Sequence, residues 1–182
     1  MAEQSRSESL RLSILSVAEI PPSLWANILV LCNRAYSTDL SPLFATFQDS
    51  VHVLAFHSDV LVAHAMWVTR RLQPGVGAVL KTAYVEMVAT APELQGQGLG
   101  RTVMRALAKA IEEYDLGALC PADTHLYKHL GWEYWRGPLY IRTNSGLIPT
   151  PGERVMILRL PNTLPLDLDQ PLSAEWREGE LW

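Results

Sequence analysis

The stretch from Ala83 to Tyr114, AYVEMVATAPELQGQGLGRTVMRALAKAIEEY, constrains this chain most: an apolar strand runs into a short glycine-rich turn and then into an amphipathic helix. Gln95, Gly96, Gln97, Gly98, Leu99 and Gly100 bring bare backbone to a helix start. Unpaired N–H groups and the positive end of the helix dipole attract phosphate there. Two familiar phosphate loops do not fit. A P-loop needs a lysine where Arg101 and Thr102 follow Gly100, and glycines at 96, 98 and 100 miss the Gly-x-Gly-x-x-Gly spacing of a dinucleotide fold. The helix places Val103, Met104, Leu107, Ala108 and Ile111 on one stripe and turns Arg101, Arg105, Lys109, Glu112 and Glu113 outward.

Residues 10–17 alternate as a half-buried strand, and Pro21-Pro22-Ser23 starts a helix carrying Leu24, Trp25, Ile28, Leu29, Leu31 and Cys32 that ends near Tyr36. A short second helix is expected from Leu43 to Phe47. Val51–Phe56 and Val60–Arg70 read as a hairpin joined by the three residues His57-Ser58-Asp59, and Lys81–Thr90 adds a further strand, giving an antiparallel meander. Leu116–Cys120 follows the main helix as a strand reached by a parallel crossover. A helix over 122–130 should stop at Gly131, and two last strands carry Trp132 to Tyr140 and Val155 to Leu160. The fold class is α/β, a mixed, mostly antiparallel sheet with helices on both faces. Residues 1–9 read as a frayed terminus and 10–182 as a single domain.

At 182 residues, 48% hydrophobic and 19% charged, the chain is long enough for one sizeable core. No apolar run approaches a membrane span and no secretory leader is visible, so the expected location is the cytoplasm. Cys32 and Cys120 are too few for a disulfide framework and read as small buried residues. The net charge of −4 argues against a nucleic-acid partner. The whole excess sits in residues 161–182, where Asp167, Asp169, Glu175, Glu178 and Glu180 face only Arg177. This segment also carries Trp176, Leu181 and Trp182, which marks it for docking rather than for disorder.

Gln95, Gly98 and Gly100 match Gln/Arg-x-x-Gly-x-Gly/Ala and resemble the pyrophosphate-binding motif of the GCN5-related N-acetyltransferases. The resemblance implies that fold, and acetyl-CoA as acetyl donor held by backbone between Gln95 and Thr102. It also implies that N–H groups around Met87, Val88 and Ala89 hold the thioester carbonyl, which requires a splayed or bulged strand.

Acetyl transfer to an amine needs a base for the acceptor ammonium and an acid for the departing thiolate. Glu86 is the candidate base, because a carboxylate within a strand of Tyr, Val, Met and Ala is costly unless it faces a polar cavity. The competing reading is a salt-bridged structural glutamate. Tyr127 is the candidate acid; alone it would read as packing, but Leu126, Tyr127, Gly131 and Trp132 resemble a second motif of the same family. His125 and His129 have chelating spacing but lack the companion glutamate of a zinc helix, so surface or packing roles are preferred and no metal is expected.

From about Asp39 onward the chain resembles one branch of the family, the aminoglycoside 2′-N-acetyltransferases. The matching stretches include Val51–Phe56 with His52, AHAMWVTRR, TAYVEMVAT, DLGALC, LYKHLGWEYWRGP and the terminal WREGELW. The resemblance implies a homodimer and an aminoglycoside acceptor held by acidic groups and the terminal carboxylate, with Asp39, Glu86, Cys120, Glu153, Glu180 and Trp182 as the matching positions. Cys120-Pro121-Ala122-Asp123 is shortened against the relatives, which would suit an atypical aminoglycoside of the kasugamycin kind. Acetylation of another small amine or a protein amine, and a non-catalytic acyl-CoA sensor, are the competing functions.

Overall fold

The computed structural model describes residues 10–179 and 182. The expectations placed on residues 1–9 and on Glu180 fall outside that range. Ten strands and four α-helices follow one another as β1 (Leu10–Ser16), α1 (Pro22–Tyr36), α2 (Ser41–Phe44), β2 (Val51–His57), β3 (Val60–Pro74), β4 (Leu80–Thr90), α3 (Leu99–Ala110), β5 (Leu116–Leu119), α4 (His125–Lys128), β6 (Glu133–Tyr134), β7 (Leu139–Thr143), β8 (Gly146–Pro149), β9 (Met156–Arg159) and β10 (Leu172–Glu175). Among the described residues, all ten strands join one sheet. Its main order is β6-β9-β5-β4-β3-β10-β7-β8, with β1 and β2 branching from β3.

The meander β1 to β4 is antiparallel throughout, and the crossover through α3 makes β5 parallel to β4. The connection between β2 and β3 is tighter than the three residues expected. Ser58 and Asp59 alone form it, both with positive φ (48° and 65°), the geometry that matches the twist of the flanking strands. The helix expected over 122–130 contracts to one turn at His125–Lys128. Asp123 Oδ1 accepts the His125 N–H at 2.9 Å, which delays its start, and Gly131 with φ of 84° closes it.

Within the acidic segment, Trp176 is exposed while residues 172–175 form a strand of the sheet. β10 lies between β3 and β7, antiparallel to the first and parallel to the second. Trp182 is buried against the core, its indole N–H donating to Thr150 Oγ1 at 2.9 Å. Apolar layers cover both faces of the sheet. One gathers Ile28 and Leu31 of α1 with Leu54, Met66 and Tyr84. The other packs Val103, Met104 and Leu107 of α3 against Val53, Ala65, Trp67 and Val85.

Candidate active site

The site begins where β4 parts from β5. Their pairing covers only Thr82↔Leu116, Ala83↔Gly117 and Tyr84↔Ala118, so residues 85–90 diverge, and a cleft of about 870 Å³ opens along them. β4 is also bulged there. His64 pairs with Ala89 but Met66 pairs with Glu86, so Met87 and Val88 together face Ala65. The core layers record the same step. Tyr84 before the bulge and Met87 and Ala89 after it lie on one face, while Val85 and Val88 lie on the other. Met87 has φ of 53°, a left-handed conformation that costs a non-glycine residue about 1–2 kcal/mol.

Side chains on both sides offset that cost. His64 Nδ1 lies 2.7 Å from the Met87 carbonyl oxygen, and Tyr36 Oη donates to the Val88 carbonyl at 3.1 Å. With both carbonyls engaged, an incoming carbonyl group meets a stretch of backbone whose own acceptors are already satisfied. β4 is thus bulged at Met87 and Val88.

The glycine turn forms the adjoining wall. Gly96 and Gly98 have φ of 78° and 84°, and a Cβ built on either would meet nothing within 4 Å. Glycine is therefore required by the backbone turn and not by crowding, and open space is left in front of the first turn of α3. Gln95, Gly96, Gly98, Leu99, Gly100 and Arg101 line the cleft, as do Met87, Val88 and Ala89. Gln97 and Thr102 do not belong to that lining. The Thr102 N–H and hydroxyl both turn back to the Gly98 carbonyl, at 3.0 and 3.2 Å.

Tyr127 lines the opposite wall on α4. Burial, with Asp123 adding to it, pushes its phenol up to about 12, so it keeps its proton at neutral pH. Glu86 also lines the cleft, and it is an ion-paired residue as well as a cleft residue. Arg70 Nη2 lies 2.8 Å from Glu86 Oε1, both side chains are largely buried, and the guanidinium stacks 3.9 Å above the Tyr84 ring. The two readings of Glu86 are thus compatible.

The acceptor positions separate. Cys120 and Trp182 line the cleft. Glu153 stands behind Cys120, whose thiol donates to Glu153 Oε2 at 3.4 Å; burial and this carboxylate push the thiol up. Asp39 is not part of the lining. Its Oδ1 accepts from the Ser41 N–H at 3.0 Å and the Ser41 hydroxyl at 2.7 Å, the local turn role that its loop position also allowed. His125 and His129 meet edge-on at the cleft rim with ring centroids 4.8 Å apart, and no cluster of three metal-ligating side chains occurs among the described residues.

Residues 18–135 match the model of the acetyltransferase (GNAT) domain. This chain is a GNAT-family acetyltransferase. An aminoglycoside 2′-N-acetyltransferase of Mycolicibacterium fortuitum is 36% identical to it over 139 residues, covering 72% of this chain and 71% of that protein. Among solved structures, the Escherichia coli GNAT family N-acetyltransferase YhbS in complex with CoA aligns with a TM-score of 0.65 at 19% identity, over 93% of this chain and 92% of that one. A GCN5-related N-acetyltransferase from Kribbella flavida aligns with a TM-score of 0.60 at 23% identity over 71% of this chain, which spans only 34% of that longer protein. These two structures speak to the fold alone.

Three residues of this acetyltransferase's site escaped the sequence reading: Tyr36, His64 and Arg70. The signal for His64 and Arg70 was the one that exposed Glu86, a polar side chain inside an apolar strand. Tyr36 carried no such signal, being one aromatic residue at the end of a helix.

Proposed function

We propose that this acetyltransferase transfers the acetyl group of acetyl-CoA to the 2′-amine of an aminoglycoside, a modification that confers resistance to such antibiotics. The reading rests on the convergence of the glycine turn, the bulged strand, Glu86, Tyr127 and Trp182 on one cleft. The named activity of the M. fortuitum relative supports the acceptor class.

The cleft fits acetyl-CoA. The positive-φ glycines leave an uncluttered backbone turn at a twelve-residue helix, suited to a pyrophosphate, and the splayed strand leaves room for an extended chain beside it. When bound, acetyl-CoA supplies an acetyl group activated as a thioester. Backbone N–H groups of Met87 to Ala89 offset the negative charge that grows on the carbonyl oxygen. Glu86 takes the proton of the acceptor ammonium, directly or through a water, its orientation fixed by Arg70. Tyr127 holds a proton at Oη for the leaving sulfur. Cys120 and Trp182 shape the acceptor side, and Glu153 adds negative charge behind it. Asp39 is left to its turn.

One observation favours a second reading. The Arg70 guanidinium beside Glu86 weakens the negative field that a polycation would seek, which favours a smaller amine as acceptor. Incubation with acetyl-CoA and a panel of 2′-amino aminoglycosides, 2′-hydroxy analogues, kasugamycin and simple amines, following thiol release and locating the acetyl group by NMR, separates the two. Turnover confined to 2′-amines supports the proposal. Turnover on simple amines alone refutes it, and acetyl-CoA binding without turnover on any amine points to a sensor.

A further inference from the structure

Ser50, His52 and His64 have no solvent exposure and form a chain that ends at the bulge. Ser50 Oγ lies 2.9 Å from His52 Nε2, His52 Nδ1 lies 2.9 Å from His64 Nε2, and His64 Nδ1 lies 2.7 Å from the Met87 carbonyl oxygen. A carbonyl oxygen has no proton to give, so His64 Nδ1 carries one. A neutral imidazole has a single N–H. His64 Nε2 is therefore an acceptor, which makes His52 Nδ1 a donor, His52 Nε2 an acceptor, and the Ser50 hydroxyl a donor. One backbone carbonyl thus sets every proton in the chain.

The surroundings keep both rings neutral. Trp25 of α1 stands edge-on to His52 with centroids 5.6 Å apart, Phe44 of α2 lies 6.2 Å from His64, and the Cys32 thiol is 3.6 Å from His64 Nδ1. Burial holds both imidazoles well below their ordinary range. A chain of donors that ends on a carbonyl passes no net proton, so it is not a relay. What it does is point one N–H at the Met87 carbonyl. The opposite tautomer would set two lone pairs face to face across that contact and release it.

We propose that His64, oriented by His52 and Ser50, is a positioning residue for acetyl transfer: its Nδ1–H pins the Met87 carbonyl and holds the β4 bulge in the shape that presents N–H groups to the thioester. This rests on the proposed use of the bulge by acetyl-CoA. Met87 carries a non-glycine side chain in the left-handed region, so the backbone by itself has no preference for the bulged shape. A side-chain donor fixed from the neighbouring strand supplies one.

Two measurements test the inference. The first is ¹⁵N NMR of histidine-labelled full-length protein, which should show His52 and His64 neutral and protonated at Nδ1; an Nε2-protonated His64 overturns the assignment whether or not any variant folds. The second compares His64→Leu, which lacks the donor, with His64→Asn, which keeps an N–H near the Nδ1 position. His64→Leu should lower kcat about 10- to 100-fold, while the Kd for coenzyme A, which has no thioester carbonyl, stays within about twofold. His64→Asn should recover most of the loss. A kcat within about threefold of the parent in His64→Leu, or coenzyme A binding that falls in step with kcat, makes the chain a core network and overturns the proposal. If the parent protein turns over no acetyl-CoA, the functional reading has failed instead.

Discussion

Lowering the pH from about 7 to about 5 should remove about 4 kcal/mol of folding stability through His52 and His64. Desolvation, with His64 adding to it for His52, pulls their pKa values from the ordinary 6.5 to about 3 for His52 and about 4 for His64. In the unfolded chain each titrates at its ordinary value. Between that value and the folded ones the unfolded state binds two protons that the native state refuses, so stability falls as pH falls. At pH 5 the unfolded state gains about 2 kcal/mol per histidine, against almost nothing at pH 7, and the two together give the total. The loss levels off only near pH 3 to 4, where the native rings protonate as well. Carboxylates with lowered pKa values, such as Glu93 and Asp169, titrate in the unfolded chain near 4.5 and 3.8, below the window. Urea unfolding followed by tryptophan fluorescence at the two pH values measures the difference. A change under about 1 kcal/mol would refute the buried neutral pair, and His52→Asn, which removes one titrating group, should cut the change by about half.

Gly98→Asp should raise the acetyl-CoA KM at least about tenfold, because it sets a side chain at φ of 84° and a negative charge at the helix start; unchanged cofactor affinity in the folded variant removes the phosphate-cradle reading. Tyr127→Phe should lower kcat about 100-fold with acetyl-CoA binding unchanged, and equal kcat would retire the tyrosine as acid. Glu86→Gln should lose most activity at low pH, where few acceptor amines are already neutral, and a loss independent of pH would make its role that of an ion-pair partner to Arg70. Trp182→Ala should raise the acceptor KM several-fold more than the acetyl-CoA KM in steady-state assays, since the ring lines the cleft and is tied to Thr150; equal shifts in both would make it a packing residue.

The glycine turn and α3 were legible because each leaves a local mark: glycines where the backbone must take positive φ, and an apolar stripe at helical spacing. The bulge left none. Apart from Glu86, the segment Tyr84–Ala89 is apolar on both faces, so a switch of facing between Glu86 and Met87 leaves no change of pattern after it. β10 was hidden for a related reason. Leu-Ser-Ala-Glu is four residues long inside an acidic segment, and what makes it a strand is the pair of neighbours β3 and β7 on either side. Asp39, placed by resemblance, has its Oδ1 held by its own turn. The histidine chain was readable only in part, since His52 and His64 sit on strands whose register brings their rings together.

The insertion of β10 between β3 and β7 also dictates an order of assembly. The β7–β8 hairpin pairs with the rest of the sheet through β10, and β10 pairs Ser173 with Gln73, 100 positions earlier in the chain. During synthesis the meander β1 to β4 and the α3 crossover have their contacts early, while the hairpin must wait for Leu172–Glu175 to emerge from the ribosome. Until then β3 shows a bare edge over Leu72–Pro74. A nascent chain therefore builds its glycine turn well before the part of the sheet that β10 completes.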